Sequence, residues 1–325
     1  MDQVLGNQPF TETIARQRVC KHGVVKIRVG FGLGVRTKLN DTSFLEVVDT
    51  LERLRFDSLW LSERIGGVAP DPLVAMSMAA ARTTKLKIGM SVMVLPGRNP
   101  IVLAKELATL DRMSGGRLLP AFGLGVADPH EQQAFGVERS QRAKMFNEAL
   151  AVLRACWTEE SVTFHGDFYN YDNLRVEPKP QQSPPEVWLG GIAESELKRV
   201  GRLADGWLPS FITPDEAAAG WKTVNVVASE HQREIEDEHF GVLIPYVIGE
   251  PPAALLAGLR QRRPDIEDIT TLVPDSWEKL VANIEQFVAV GASKFVVIPS
   301  VEPKSVNEWN NHLAEAAEKL IPLQN

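Results

Sequence analysis

Cysteine is nearly absent from this chain: only Cys20 and Cys156 occur among 325 residues. Two cysteines cannot build a disulfide scaffold, and no CxxC or Cys/His ligand spacing is present to suggest a zinc site. Long apolar runs are missing too. No stretch of about 18 apolar residues exists, which argues against a membrane-spanning helix. An excess of positive charge is also lacking, with 35 Lys and Arg against 42 Asp and Glu, a net charge of −7. A general polyanion binder needs the opposite balance, so nucleic acid is not an expected partner. Met1 to Gly23 is polar throughout and lacks the apolar core of a signal peptide, so it reads as a leader to one domain over 24–325. A reducing, cytoplasmic setting fits these absences. No internal repeat of short period and no low-complexity segment is visible.

The chain that remains is 44% hydrophobic and 24% charged, enough to fill one large barrel or two ordinary domains. Its clearest unit is Lys85 to Val126. Ile88, Val92, Val94 and Leu95 form a short apolar run of the kind a strand buried on both faces shows. Asn99 is a good N-cap and Pro100 suits a first helical turn. Leu103, Leu107 and Leu110 then recur at helical spacing until Ser114-Gly115-Gly116 stops the helix. Leu118 to Val126 is apolar again, so the unit is a right-handed strand–helix–strand crossover. Pro120 cannot donate within a ladder, and the regular strand is expected to begin after it.

The same alternation runs along the rest. Strands are expected to start at Val24, Asp57, Leu86, Leu118, Val187, Gly206, Gly241 and Lys294, each followed by a helix. Ser43 and Glu46 read as the capping box of a helix ending at Arg55; Asp71-Pro72 opens the next. Helices are expected over Arg139–Trp157, Glu194–Leu203, Pro214–Glu236, Trp277–Val290 and Val306–Ile321. Val162–Val176 reads as a hairpin turning at Gly166-Asp167, after the fourth strand and helix. Eight strand–helix units predict an α/β fold of the (β/α)8 barrel type. Gly30, Gly32 and Gly34 suggest a dinucleotide loop only superficially; their spacing favours a close approach of backbone to a neighbour or ligand. Gly249–Val273, rich in proline and arginine, has no clear assignment. It fits a variable loop at the barrel mouth where substrate choice would reside. Its Arg260, Arg262 and Arg263 read either as a grip for a phosphate or, more simply, as a solvated helix face.

In a barrel of this kind chemistry gathers at the C-terminal ends of the strands. That places Glu63 and Arg64, Ser91 to Val94, Val126 to His130, Gly190 to Ile192, Ser210, and Pro245 and Tyr246 in view. These positions also carry a resemblance. The runs FDSLWLSE, LKIGMSVMVLP, NPIVLAKELATLDRMSGGRL, VTFHGDFY, VWLGG and RLADGWLP resemble the luciferase-like monooxygenase superfamily, in particular its coenzyme F420 (deazaflavin) dependent oxidoreductases. The likeness runs in order from about Val24 to Leu208, with an echo in Trp277 to Pro299.

The resemblance implies a luciferase-like TIM barrel with coenzyme F420, or alternatively FMN, across its mouth. It implies a non-prolyl cis peptide at Ser91-Val92, with Ser91, Val92, Met93 and Val94 against the cofactor ring. It also implies cofactor contacts from Gly125, Val126 and Ala127, and a phosphate loop made of Gly190, Gly191, Ile192 and Ala193. Backbone N–H groups at a glycine turn before a helix suit that last role. Glu63 falls where the family has an acidic residue near cofactor or substrate. Arg64 departs from the family's frequent histidine; permanently protonated, it cannot act as a base but could hold an anion. Asp128 falls where sugar-oxidising relatives carry a glutamate, and His130 lies two residues on. Either could serve as acid or base, although a lone loop histidine is more often only that; His165, in the hairpin, reads as structural.

The expected activity is hydride exchange between the deazaflavin and a small organic substrate, catalysed around Glu63, Arg64, Asp128 and His130. A flavin monooxygenase on the same barrel is the alternative, and a non-catalytic flavin binder a third reading that the Arg64 departure keeps open. Family members are commonly homodimers.

Overall fold

The computed structural model describes residues 19–20 and 23–325. Most of the expected leader lies outside them. Eight parallel strands form the centre: β1 (Arg28–Leu33), β2 (Ser58–Leu61), β3 (Lys87–Met90 with Met93–Val94), β4 (Leu118–Leu119 with Ala121–Gly123), β5 (Trp188–Leu189), β6 (Gly206–Trp207), β7 (Gly241–Tyr246) and β8 (Lys294–Pro299). Ladders join β7 to β8, β8 to β1, and so on through β6. Parallel bridges from Trp207 to Phe240 and from Ser210 to Leu243 complete the circle between β6 and β7. The barrel is therefore a closed ring.

Ten helices are described: α1 (Asp41–Arg53), α2 (Pro72–Arg82), α3 (Pro100–Ser114), α4 (Pro129–Phe135), α5 (Arg142–Thr158), α6 (Glu194–Leu203), α7 (Pro214–Glu230), α8 (Ala253–Arg262), α9 (Trp277–Ala289) and α10 (Val306–Leu320). The expected hairpin is present as Val162–His165 paired with Asn170–Leu174.

Alternation along the strands separates two cores. Val29, Phe31, Leu59, Leu61, Ile88, Met90, Phe295 and Val297 face outward into the layer shared with the helices. Trp60, Leu119, Ala121, Trp188, Leu208, Val296 and Ile298 fill the interior of the ring. Two indoles fit inside only because their neighbours lack side chains. A Cβ on Gly89 would lie 2.8 Å from the Trp60 ring, and one on Gly206 2.5 Å from that of Trp188. Gly30 and Gly32 serve the same end, facing Trp60 and Ile298, so the close-approach reading of these glycines holds.

Several expectations need correction. Val24 does not open the first barrel strand; it pairs antiparallel with Val19, and β1 begins at Arg28. The capping box of α1 is Asn40 with Ser43, whose side chain and backbone bonds are reciprocal, so the helix starts before the Ser43/Glu46 pair. Leu118–Leu119 is already regular strand, paired with β3, while Ala121–Gly123 pairs onward with β5. Pro120 marks the handover, its carbonyl accepting from Trp188 N at 2.9 Å where no amide is needed. α5 begins at Arg142 because α4 and its turn occupy the preceding residues, and α7 stops at Glu230. Gly249–Val273 contains α8 and a short 3-10 turn, packed into their own small core around Val247, Leu259 and Leu272.

Candidate active site

The C-terminal ends of β3, β4 and β5 lie side by side. Val94 pairs with Gly123 and Leu189 with Phe122, which brings Gly190 level with both. Between the two halves of β3 the Ser91–Val92 peptide is cis. The Ser91 hydroxyl is buried and has no hydrogen-bond partner among the described residues. Val92 leans into the barrel interior, where Gly123 leaves it room: a Cβ there would sit 2.5 Å from its methyl. Met93 turns the other way into the outer core, so only its backbone can face a ligand.

Glu63 holds this break in place. Its carboxylate accepts from Val94 N at 2.7 Å and pairs with Arg98, whose Nε also reaches Val94 O at 2.8 Å. Burial pushes the Glu63 carboxyl above its usual range, while Arg98 and the Val94 amide pull it down. Arg98, which sequence reading did not single out, lies over the Phe135 ring and takes the Tyr169 hydroxyl on its carbonyl.

Arg64 is equally committed. It pairs with Asp128 at 3.3 Å and with Glu131 at 3.4 Å. Asp128 also caps α4, accepting from His130 N at 2.9 Å. Glu131, buried and unforeseen, accepts from the amides of Ile65 and Gly66. The signal was present in the sequence, since Asp128-Pro129 repeats the cap-and-proline pattern of Asp71-Pro72 and Asn99-Pro100. His130 lies exposed on the first turn of α4. Val94, Leu124, Gly125, Val126, Glu131 and Arg142 line a shallow pocket at this rim. Val126 and Ala127 are exposed.

At the expected phosphate loop, Gly191 has φ +99° and could not carry a side chain without meeting Glu196. The Glu196 carboxylate accepts from the amides of Ile192 and Ala193, both at 3.0 Å. Two of the four N–H groups expected to receive an anion are thus served from within the chain. Of the arginine triplet, Arg263 is buried and pairs with Glu216 and Asp265, holding α8 against α7. Arg262 covers the Phe211 ring at 4.2 Å, and Arg260 is exposed. Among the described residues no cluster of three or more His, Cys, Asp or Glu could hold a metal ion. No helix there is long and apolar enough to cross a membrane.

Residues 28–319 match the family described as luciferase-like monooxygenase. Among curated proteins, the chain is 32% identical over 167 residues to an F420-dependent glucose-6-phosphate dehydrogenase of Kineococcus radiotolerans, covering 48% of this chain and 49% of that one. A protein of the same description from Amycolatopsis mediterranei is 29% identical over 192 residues, covering 56% and 57%. The chain thus matches about half the length of these relatives. Among solved structures, an F420-dependent secondary alcohol dehydrogenase in complex with an F420-acetone adduct superposes with a TM-score of 0.76 at 21% identity, over 92% of this chain and 100% of that one. The FMN-bound oxygenating constituent of 3,6-diketocamphane monooxygenase from Pseudomonas putida gives 0.75 at 14%, over 91% and 98%. At these identities the two structures speak for the fold.

Proposed function

This chain belongs to the luciferase-like monooxygenase family, and from that premise we propose that it is an oxidoreductase exchanging hydride between coenzyme F420 and a small hydroxyl- or carbonyl-bearing substrate. The observation that carries the reading is the break in β3: an unpartnered, buried Ser91 hydroxyl beside the apolar Val92, at the C-terminal mouth of a closed barrel. A planar ring with polar edges suits that surface. The curated relatives named as F420-dependent dehydrogenases support the deazaflavin over FMN.

When bound, the deazaflavin would supply the carbon that accepts or gives hydride. The protein's residues do the rest. Ser91, Val92 and Val94 would form the ring wall, with Gly125, Val126 and Ala127 along its rim and Gly190 to Ala193 toward the anionic end. Glu63 and Arg98 keep the wall rigid by gripping Val94 from both its N–H and its carbonyl. Arg64 has both flanks taken by carboxylates, so it serves to fix the β2 and β4 loops against each other. Asp128 is spent on this pair and on its cap. Cysteine usage supports a cytoplasmic enzyme, and the outward Val74 and Met78 of α2 with Val102 and Met113 of α3 support a homodimer.

Titrating the protein into deazaflavin tests the reading. Saturable quenching of deazaflavin fluorescence, followed by bleaching of its absorbance with an alcohol, is expected. Oxygen consumption with reduced FMN, and no response to deazaflavin at tens of micromolar, would favour the flavin monooxygenase instead.

A further inference from the structure

Glu302, three residues beyond β8, stands apart from the paired acids Glu63, Asp128, Glu131 and Glu196 at this end of the barrel. Its carboxylate accepts from the Thr37 hydroxyl. Thr37 is itself only 1% exposed and lies in the turn after β1, where its N–H donates to Gly34 O at 3.1 Å. A Cβ on Gly34 would be 3.8 Å from Glu302 Oε1 and 3.8 Å from Ile298 Cγ2. Ile298 belongs to the interior core that also contains Val92. The carboxyl therefore sits over the interior at the β1–β8 edge of the mouth. Burial pushes it above the usual carboxylate range, with the Thr37 hydroxyl pulling the other way and no charged group among the described residues acting on it.

The acids that line the β2 to β5 side of the mouth are engaged: Glu63 by Arg98 and an amide, Asp128 and Glu131 by Arg64, Glu196 by two amides; Glu250, after β7, is exposed to solvent. A carboxylate fixed by a cation or two amides is a poor proton carrier, because its charged form is held. Among the described residues Glu302 has only a neutral hydroxyl, which can rotate with either protonation state.

We propose that Glu302 is the acid–base residue of this mouth, contacting the substrate oxygen, with Thr37 as its positioning residue. The proposal rests on the deazaflavin reading. In the oxidative direction the substrate O–H bond breaks and its proton passes to the Glu302 carboxylate. The adjacent C–H bond breaks with its electron pair, which leaves as hydride to the deazaflavin, and the C–O bond becomes a carbonyl. The substrate is oxidised and the deazaflavin reduced by two electrons; Glu302 then returns the proton to water.

The test compares wild type, Glu302→Gln and Thr37→Val in three measurements: deazaflavin fluorescence quenching, single-turnover hydride transfer against pH, and the carboxylic-acid C=O infrared band of the cofactor-free protein. Wild type and E302Q should quench alike, while hydride transfer in E302Q falls by about 10²–10⁴-fold and loses its rise with pH. T37V should move that rise to higher pH, because the hydroxyl that favours the carboxylate is gone. The wild-type-minus-E302Q difference spectrum should show a carboxylic-acid band that titrates above the ordinary carboxylate range, separate from any band of Glu63 common to both. If E302Q quenches normally and transfers hydride within a few-fold of wild type with the same pH profile, the proposal is overturned and the deazaflavin reading survives. The same holds if T37V leaves the rise in place. If wild type itself does not quench deazaflavin, the reading falls and takes the proposal with it.

Discussion

Both ends of the barrel pair acids with cations, Glu63 with Arg98 and Asp128 with Arg64 at the C-terminal rim, but they differ in what they leave over. At the N-terminal rim, acids that precede strands meet cations. Asp57, before β2, faces Lys294 at 2.8 Å, Lys87 at 3.3 Å and Arg28 at 3.7 Å. Asp205, before β6, takes Arg154 and Arg233, and Glu186, before β5, takes His239. At the C-terminal rim, among the described residues, the Ser91 hydroxyl is left without a partner and Glu302 without a cation. One end is built for stability, and the other holds polar groups in reserve for a ligand.

Removing a charge from the closed end should therefore hurt folding most. Lys294→Met leaves Asp57 buried without its main partner and is expected to lower stability by roughly 3–5 kcal/mol in urea denaturation. Asp57→Asn combined with it should restore part of the loss. The same pair sets an acid limit. Burial raises the Asp57 carboxyl, but Lys294 and then Lys87 outweigh it and bring it down to about 2, against about 3.9 when unfolded. Its contribution, of order 2–3 kcal/mol, is complete above about pH 4 and is lost as pH falls toward the folded value. Denaturation midpoints measured across that range should show the fall, and Lys294→Met should flatten it.

Smaller effects follow inside the ring and at the mouth. Gly206→Ala drives a methyl against Trp188 and should lower stability by about 1–3 kcal/mol, seen as a lower Tm with turnover per folded molecule retained. Arg64→Ala breaks one partly exposed pair, with Asp128, and takes the cation from the buried Glu131, which keeps two amide donors, so it should lower stability by about 1–2 kcal/mol. Glu302→Gln should not destabilise at neutral pH. A carboxyl with a raised folded pKa favours folding below its unfolded value and loses that advantage as pH rises through the folded one, so an uncharged amide has nothing to lose there. A mouth substitution that unfolds the protein as Lys294→Met does would break the comparison.

The fold was legible because it repeats. Apolar runs, N-caps followed by proline at Asp71 and Asn99, and the Gly115 stop are local signals, and each keeps its meaning in the barrel. What failed was also local in origin: two caps three residues apart compete for α1, and Pro120 only forbids a donor, leaving its neighbours free to pair. The site was less legible. Glu63, Arg64, Ser91 and Asp128 do converge around β2 to β4, but a one-dimensional pattern does not reveal which acids are already engaged. Arg98 and Glu131 as partners and Glu302 beside Thr37 depend on contacts between distant segments, whereas Glu196 closes its own helix through amides only three and four residues away. Each of these side chains looks ordinary in sequence.

A crystal structure of the protein with deazaflavin would decide the central claim. The ring should lie along Ser91, Val92 and Val94, with the Ser91 hydroxyl bonded to one of its polar atoms. A ring bound elsewhere, with that hydroxyl still unpartnered, would contradict the account.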